Sequence, residues 1–226
     1  MRKAFSLAEV LVTLTILGVI FVCTMPVLNI SIRDKQNYTN ARKTFTMLGE
    51  AMTISTLATF DYSEYIAKND SDAKMKEWFD RFLKPQLRVM KVCYNKSGCW
   101  NPGHTYNLNG SPVYYSVKGV GVGANIITAV LNDGTFINID SYSKGSISTY
   151  FGVDIKTNDG LVVIFDVNGE KGPNMMGKDI FATVFADDVL VPAYSSRTKE
   201  QVYNDCKKSG TGYSCLQKML LDETEL

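Results

Sequence analysis

Residues 1–26 read MRKAFSLAEVLVTLTILGVIFVCTMP, and the reading of this stretch decides the rest of the chain. A short basic leader, Arg2 and Lys3, precedes an apolar run from Phe5 to Met25, and the next basic residue is Arg33. A helix needs about 20 apolar residues to cross the hydrocarbon of a bilayer, so the run reads as one membrane-spanning helix. One carboxylate, Glu9, stands inside it. A charge in such a helix is expensive and is ordinarily neutralised or paired. Arg2 and Lys3 keep the N-terminal side in the cytoplasm and send the rest of the chain across.

The order of the parts is not that of a secretory signal, in which a small-residue cleavage site follows the apolar core. Here a candidate junction, Ala4 then Phe5, lies before the apolar run, so a cut there leaves the helix on the mature chain. The segment KAFSLAEVLVTLTILGVI resembles the class III leader of type IV pilins and type II secretion pseudopilins. The match is carried by Phe5 at the new N-terminus, Leu7, Glu9 as fifth residue of the mature chain, Leu11, Leu14, and Pro26 at the family's usual kink. Where the family usually has glycine before the cut, this chain has Ala4.

The resemblance implies that a prepilin peptidase removes residues 1–4 and methylates the new amine of Phe5. It further implies that Glu9 neutralises the terminal amine of a neighbouring subunit during assembly. The implied partners are homologous pilin subunits, the peptidase, an inner-membrane assembly platform and, before assembly, membrane lipid. The implied location is the bacterial inner membrane, single pass, with the head extracytoplasmic, and then a pilus or pseudopilus.

With 226 residues, net charge +1 and 45% hydrophobic residues, the chain can hold one tethered globular domain and its anchor. It has no block of like charge that would suggest nucleic acid. Five cysteines include two close pairs, Cys93 with Cys99 and Cys206 with Cys215, while Cys23 lies in the apolar run. Nearest-neighbour pairing closes two small loops and fits an oxidising compartment. The rival, a reduced zinc site, lacks CxxC spacing and has only His104 to add.

The expected fold is α+β and pilin-like: a leader at 1–4, a membrane and assembly helix at 5–25, its second half at 26–65, and a globular head at 66–226. Pro26 should kink the helix without ending it. From Tyr38, Ala41, Phe45, Leu48 and Met52 recur at helical spacing and can lie on the head. Residues 68–87 predict a polar connection and a short helix with Met75, Trp78, Phe79, Phe82 and Leu83 on one side, stopped at Lys84 by Pro85. Past Ser111, VYYSVK, IITAVL, TFINI, LVVIFDV and DIFATVF read as strands, with Asn132-Asp133-Gly134 and Asn158-Asp159-Gly160 as turns. The predicted core draws on Phe45, Leu48, Val113, Tyr115, Ile127, Val130, Phe136, Val163, Phe165, Phe181 and Val184.

The densest motif of the head is DVNGEKGPN at 166–174, continuing to Gly177, Lys178 and Asp179. Oxygen-bearing side chains with glycines between them are what a calcium loop needs for six to eight oxygen ligands, although the EF-hand pattern is absent. The segment also resembles a loop of pilin-like proteins, and the resemblance implies calcium ligands at Asp166, Asn168 and Asp179. A metal-free turn held by Asx hydrogen bonds remains the alternative. GVGVG at 119–123 lacks the lysine and the strand-helix context of a phosphate loop. His104 in a Pro/Gly loop reads as a surface residue, and CKKSGTGYSC at 206–215 resembles the disulfide-closed end of pilin-like heads.

The expectation is therefore a non-enzymatic filament subunit processed between Ala4 and Phe5. The alternative is a single-pass anchored binding module that does not polymerise. An anchored hydrolase would need a nucleophile-base pair that the chain does not display.

Overall fold

The computed structural model describes residues 6–59, 63–66, 72–101, 103–113 and 126–223. The chain divides into two compact units, Met1–Gln36 and Asn37–Leu226. The first helix, α1 (Leu7–Leu57), supplies most of the first unit and opens the second. In the first unit it carries Leu7–Met25, 19 residues of mean hydropathy 2.3 with none of the window buried. Pro26 lies within α1 and does not end it.

In the second unit the α1 residues Ala41, Leu48 and Met52 are fully buried and Phe45 is half-buried, as the 3.6-residue period predicts. After α1 comes a single helical turn, α2 (Ser63–Ile66). Next is α3 (Asp72–Trp78), prolonged by a π turn over Phe79–Leu83 and a 3-10 turn over Lys84–Gln86. The predicted aromatic stripe is core: Met75, Trp78, Phe79 and Leu83 are fully buried, and Phe82 packs edge-on against Tyr65. The helical winding runs through Pro85 in the 3-10 turn, where a missing N–H near the start of a turn does no harm.

Among the described residues six strands form one antiparallel sheet in chain order. They are β1 (Val89–Tyr94), β2 (Ile127–Leu131), β3 (Phe136–Ser143), β4 (Asp159–Asp166), β5 (Ile180–Ala186) and β6 (Val189–Pro192). Strands β4 and β5 are covered on both faces, which is why they read as unbroken apolar runs rather than alternating ones. Leu161, Val163, Phe165, Phe181 and Phe185 face one core, shared with α1 and α3. Val162, Ile164, Ile180, Ala182 and Val184 face a second, covered by Ile147 and Phe151 of α4 (Lys144–Phe151) and by Trp100 and Tyr213. Two further helices, α5 (Lys199–Asp205) and α6 (Cys215–Glu223), close the chain, α5 starting on a Thr198/Gln201 capping box.

The α+β expectation holds at this level: an N-terminal apolar helix precedes an antiparallel sheet with helices. Of the predicted core, Leu48, Ile127, Phe136, Val163, Phe165, Phe181 and Val184 are buried, and Phe45, Val113 and Val130 pack against the cores. Tyr115, most of VYYSVK and GVGVG lie outside the described residues. The Asn132-Asp133-Gly134 turn is present: Gly134 has φ +88°, and Asp133 Oδ1 accepts the Thr135 N–H. Asn158-Asp159-Gly160 is not a turn. Strand β4 begins at Asp159, and Gly160 is needed because a Cβ there would stand 2.9 Å from Ile147 Cδ1 and 3.1 Å from Ala186 Cβ. Its small size seats α4 on the sheet.

Candidate functional site

The first candidate is the start of α1. Ser6 caps the helix and Glu9 stands at the third helical position. Glu9 Oε2 accepts the Ser6 N–H at 2.9 Å and the Ser6 hydroxyl at 3.1 Å, and Ser6 Oγ accepts the Glu9 N–H at 3.3 Å. This reciprocal capping box satisfies backbone donors that a helix otherwise leaves bare at its N-terminus. Its S-x-x-E signature is legible in the sequence, where Glu9 reads only as an assembly residue. The other polar groups of the span are also satisfied locally: Thr13, Thr15 and Thr24 hydroxyls donate to the carbonyls of Val10, Leu11 and Ile20. The span thus presents an outer surface of apolar side chains, with Leu7, Val22 and Val19 among the most exposed. Ala4 and Phe5 lie outside the described residues.

The second candidate is the loop between β4 and β5. Asp166, at the end of β4, and Asp179, just before β5, are both fully buried. Asp166 Oδ1 accepts the N–H groups of Asn168 and Gly169, each at 3.0 Å. Asp179 accepts the Asn174 and Met175 N–H groups, one on each oxygen, and Asn168 Nδ2 donates to its Oδ2 at 3.2 Å. The three residues singled out from the sequence therefore come together. Two buried oxygens among them, Asp166 Oδ2 and Asn168 Oδ1, have no hydrogen-bond partner. Burial and the nearby Asp179 carboxylate push Asp166 up to about 8, and burial also raises Asp179.

Three other segments of the head meet this loop. Asn101 Nδ2 donates to Asn174 Oδ1 at 3.0 Å and to the Gly169 carbonyl at 3.3 Å, joining the loop to the Cys93–Cys99 disulfide. Tyr106 exchanges backbone hydrogen bonds with Asn174 and Met176. Gly177 lies so close to the Cys206–Cys215 loop that a Cβ would stand 2.7 Å from both Cys215 Sγ and the Gly212 carbonyl. Both cysteine pairs expected from spacing are at bonding distance, and Cys23 is free and exposed. Asp205 organises the second loop from within, accepting from Thr211 and Ser214 backbone N–H groups and pairing with Arg197 at 3.3 Å.

His104 is exposed and stacks edge-on with Tyr106. Among the described residues no group of three or more His, Cys, Asp and Glu side chains is disposed to hold a metal ion. At the β4–β5 loop any cation would rest on Asp166 Oδ2 and Asn168 Oδ1, with the remaining ligands drawn from groups now engaged in hydrogen bonds or from water. The chain matches no protein-family model, no curated protein and no solved structure.

Proposed function

We propose that this chain is a structural subunit of a type IV pilus or a type II secretion pseudopilus, cut between Ala4 and Phe5 by a prepilin peptidase and polymerised through its N-terminal helix. The observation that carries the reading is the place of Glu9, the one carboxylate in Leu7–Met25, five residues into a mature chain that begins at Phe5. The apolar surface of the span supports it, because the same side chains can face lipid before assembly and neighbouring helices after it. With the threonine hydroxyls bonded inside the helix, that exchange moves no unsatisfied polar group. Two disulfide-closed loops in the head fit an extracytoplasmic location.

In the filament, Glu9 accepts the methylated amine of the adjacent subunit's Phe5, and the pairing fixes the axial register of one helix against the next. Within the same reading, a calcium ion in the β4–β5 loop would be held by Asp166, Asn168 and Asp179 and would offset the charge of two buried carboxylates. The partnerless Asp166 Oδ2 supports that placement.

The test is the mature N-terminus together with one substitution. Mass spectrometry should find a chain beginning with N-methylated Phe5; an intact Met1 or a cut after Pro26 overturns the reading. Glu9→Gln keeps an oxygen for the Ser6 cap and removes the charge, so the helix should form and filaments should not. Filaments of Glu9→Gln at wild-type yield would favour a different assembly principle. A full-length wild type that is never found in filaments would leave an anchored binding module.

A further inference from the structure

Among the described residues the sheet ends at β1 on one side and β6 on the other, five strand spacings or about 24 Å apart. The two edges differ in relief and in charge. On β1, Met90 stands 71% exposed at a β-bulge, where the register shifts between Val89 and Lys91. Arg88, Lys91 and Lys96 are exposed around it, and no acidic residue occurs between Arg88 and Cys99. Lys91 Nζ donates to the Gly98 carbonyl, and the acids beside the strand are paired: Asp80, against the Tyr94 hydroxyl, with Lys84, and Asp133, in the turn that bonds the Arg88 carbonyl, with Lys43.

On β6 a groove of about 240 Å³ opens beside the strand, lined by Val153, Ile155, Val184, Ala186, Val189 and Val191 and, at one side, by Ser195 and Ser196. Val189 in this edge strand is 51% exposed. Asp154 and Asp187 stand on the rim, Asp188 follows in the same turn, and Lys156 is the cation among them. Asp187 is fixed by the backbone N–H groups of Lys156 and Thr157 at 2.8 and 3.1 Å. Strand β6 is short and ends in Pro192, so the edge is blunted against backbone pairing and what it offers a partner is the side-chain groove.

We propose that the Met90 edge of one head seats in the β6 groove of a second copy of this chain, with Arg88 and Lys91 of the first facing Asp154 and Asp188 of the second. The proposal rests on the filament reading above and adds a contact between heads. Methionine is unbranched and adapts to irregular gaps, which suits it to an irregular groove. The two patches lie on opposite edges of the same sheet, so the contact is head to tail and each copy keeps one patch open for the next. Such heterologous contacts extend into open helical arrays instead of closing into a dimer. A single side chain and exposed charges bind weakly, so the contact forms where a filament, or a shared membrane, holds the heads at high effective concentration.

The test uses the full-length chain with Cys23→Ala and two introduced cysteines, Met90→Cys and Val189→Cys, oxidised in membranes and in sheared filaments. Non-reducing gels should show a ladder of dimers, trimers and larger species, with the native Cys93–Cys99 and Cys206–Cys215 bonds verified by peptide mass spectrometry. Either single variant alone should give no ladder. Arg88→Glu should lower ladder yield about threefold, the scale of one exposed ion pair, and Asp154→Lys in the same chain should restore it. A double-cysteine variant that folds with both native disulfides and gives only monomer overturns the contact, as does failure of Asp154→Lys to restore the yield. Electron microscopy of the sheared fraction reads filament formation separately: filaments without a ladder sink the head contact alone, whereas a ladder without filaments supports the contact and sinks the filament reading.

Discussion

Glu9 has a structural duty in the isolated chain before any duty toward a neighbour, because its carboxylate closes the capping box with Ser6. Alanine at this position therefore removes a cap and a charge together, whereas Glu9→Gln removes the charge alone. Ser6→Ala should fray the first turn while leaving filaments able to form, which amide exchange at residues 7–10 and filament yield would read independently. At the other site, Asp166 in the folded head binds a proton up to about pH 8, while an exposed carboxyl with its ordinary value of 3.8 releases it far sooner. The folded state therefore holds more protons than the unfolded state between those limits, and stability falls as pH rises through the window. Asp179, also raised by burial, adds in the same direction. With a chelator present, melting of the detergent-solubilised chain should drop steadily from pH 5 to pH 8, by up to about 1.4 kcal/mol per pH unit for one such group. Asp166→Asn should flatten the profile. A cation that replaces the proton should stabilise more at pH 8 than at pH 6, and where its concentration is a hundredfold above its Kd the stabilisation should be about 2.7 kcal/mol. A melting temperature indifferent to millimolar calcium at both pH values would remove the ion from the loop.

At the scale of elements, the β4–β5 loop depends on close backbone packing against the C-terminal disulfide loop. Gly177 has φ +78° and Gly212 φ +89°, and a Cβ on Gly212 would stand 2.3 Å from the Met176 carbonyl. Gly177→Ala should lower stability by about 2 kcal/mol or more, from left-handed strain and displaced backbone together, measurable by denaturant unfolding. The elements that were legible in the sequence are those whose pattern is local. The span, the Ala41/Leu48/Met52 face, the Trp78/Phe79 stripe and the long runs of β3, β4 and β5 announce themselves by composition and period. Strand β1 is hard to read because VMKVCY sits between a proline and a cysteine loop, and its pairing with β2 bridges 32 residues, from Tyr94 to Ile127, that no local pattern links. Strand β6 has four residues, too few to show a period. Helix α4 is not legible because KGSISTYF carries glycine and β-branched residues and is held by Ile147 and Phe151 in the second core, a tertiary effect that overrides propensity. Similarly, the motif at 166–179 names residues that lie together in the fold, but only the fold shows most of their oxygens engaged by backbone N–H groups.

For the whole molecule, the second unit buries apolar side chains on both faces of its central strands, and two covalent loops fasten its periphery. Replacing Cys206 and Cys215 together by serine should cost about 2–3 kcal/mol, from the entropy of a short loop, and the loss should be seen as a lower melting temperature with the β-sheet signal intact. With its central strands covered on both faces, the described part of the head meets other molecules through its loops, its helix surfaces and its two strand edges. The capping box at the other end of the chain has a further consequence for assembly. A Glu9 that already accepts two hydrogen bonds from Ser6 does not gain a partner on joining a filament; it exchanges one set of donors for another. The net free energy of that exchange is small beside the gross strength of either set, so under the proposed filament reading Glu9 would select the register while apolar contact along the span would supply the cohesion. A joint built on exchange can be undone along the same route by which it was made, so in the proposed filament subunits inserted one at a time at the membrane would be able to return to it one at a time.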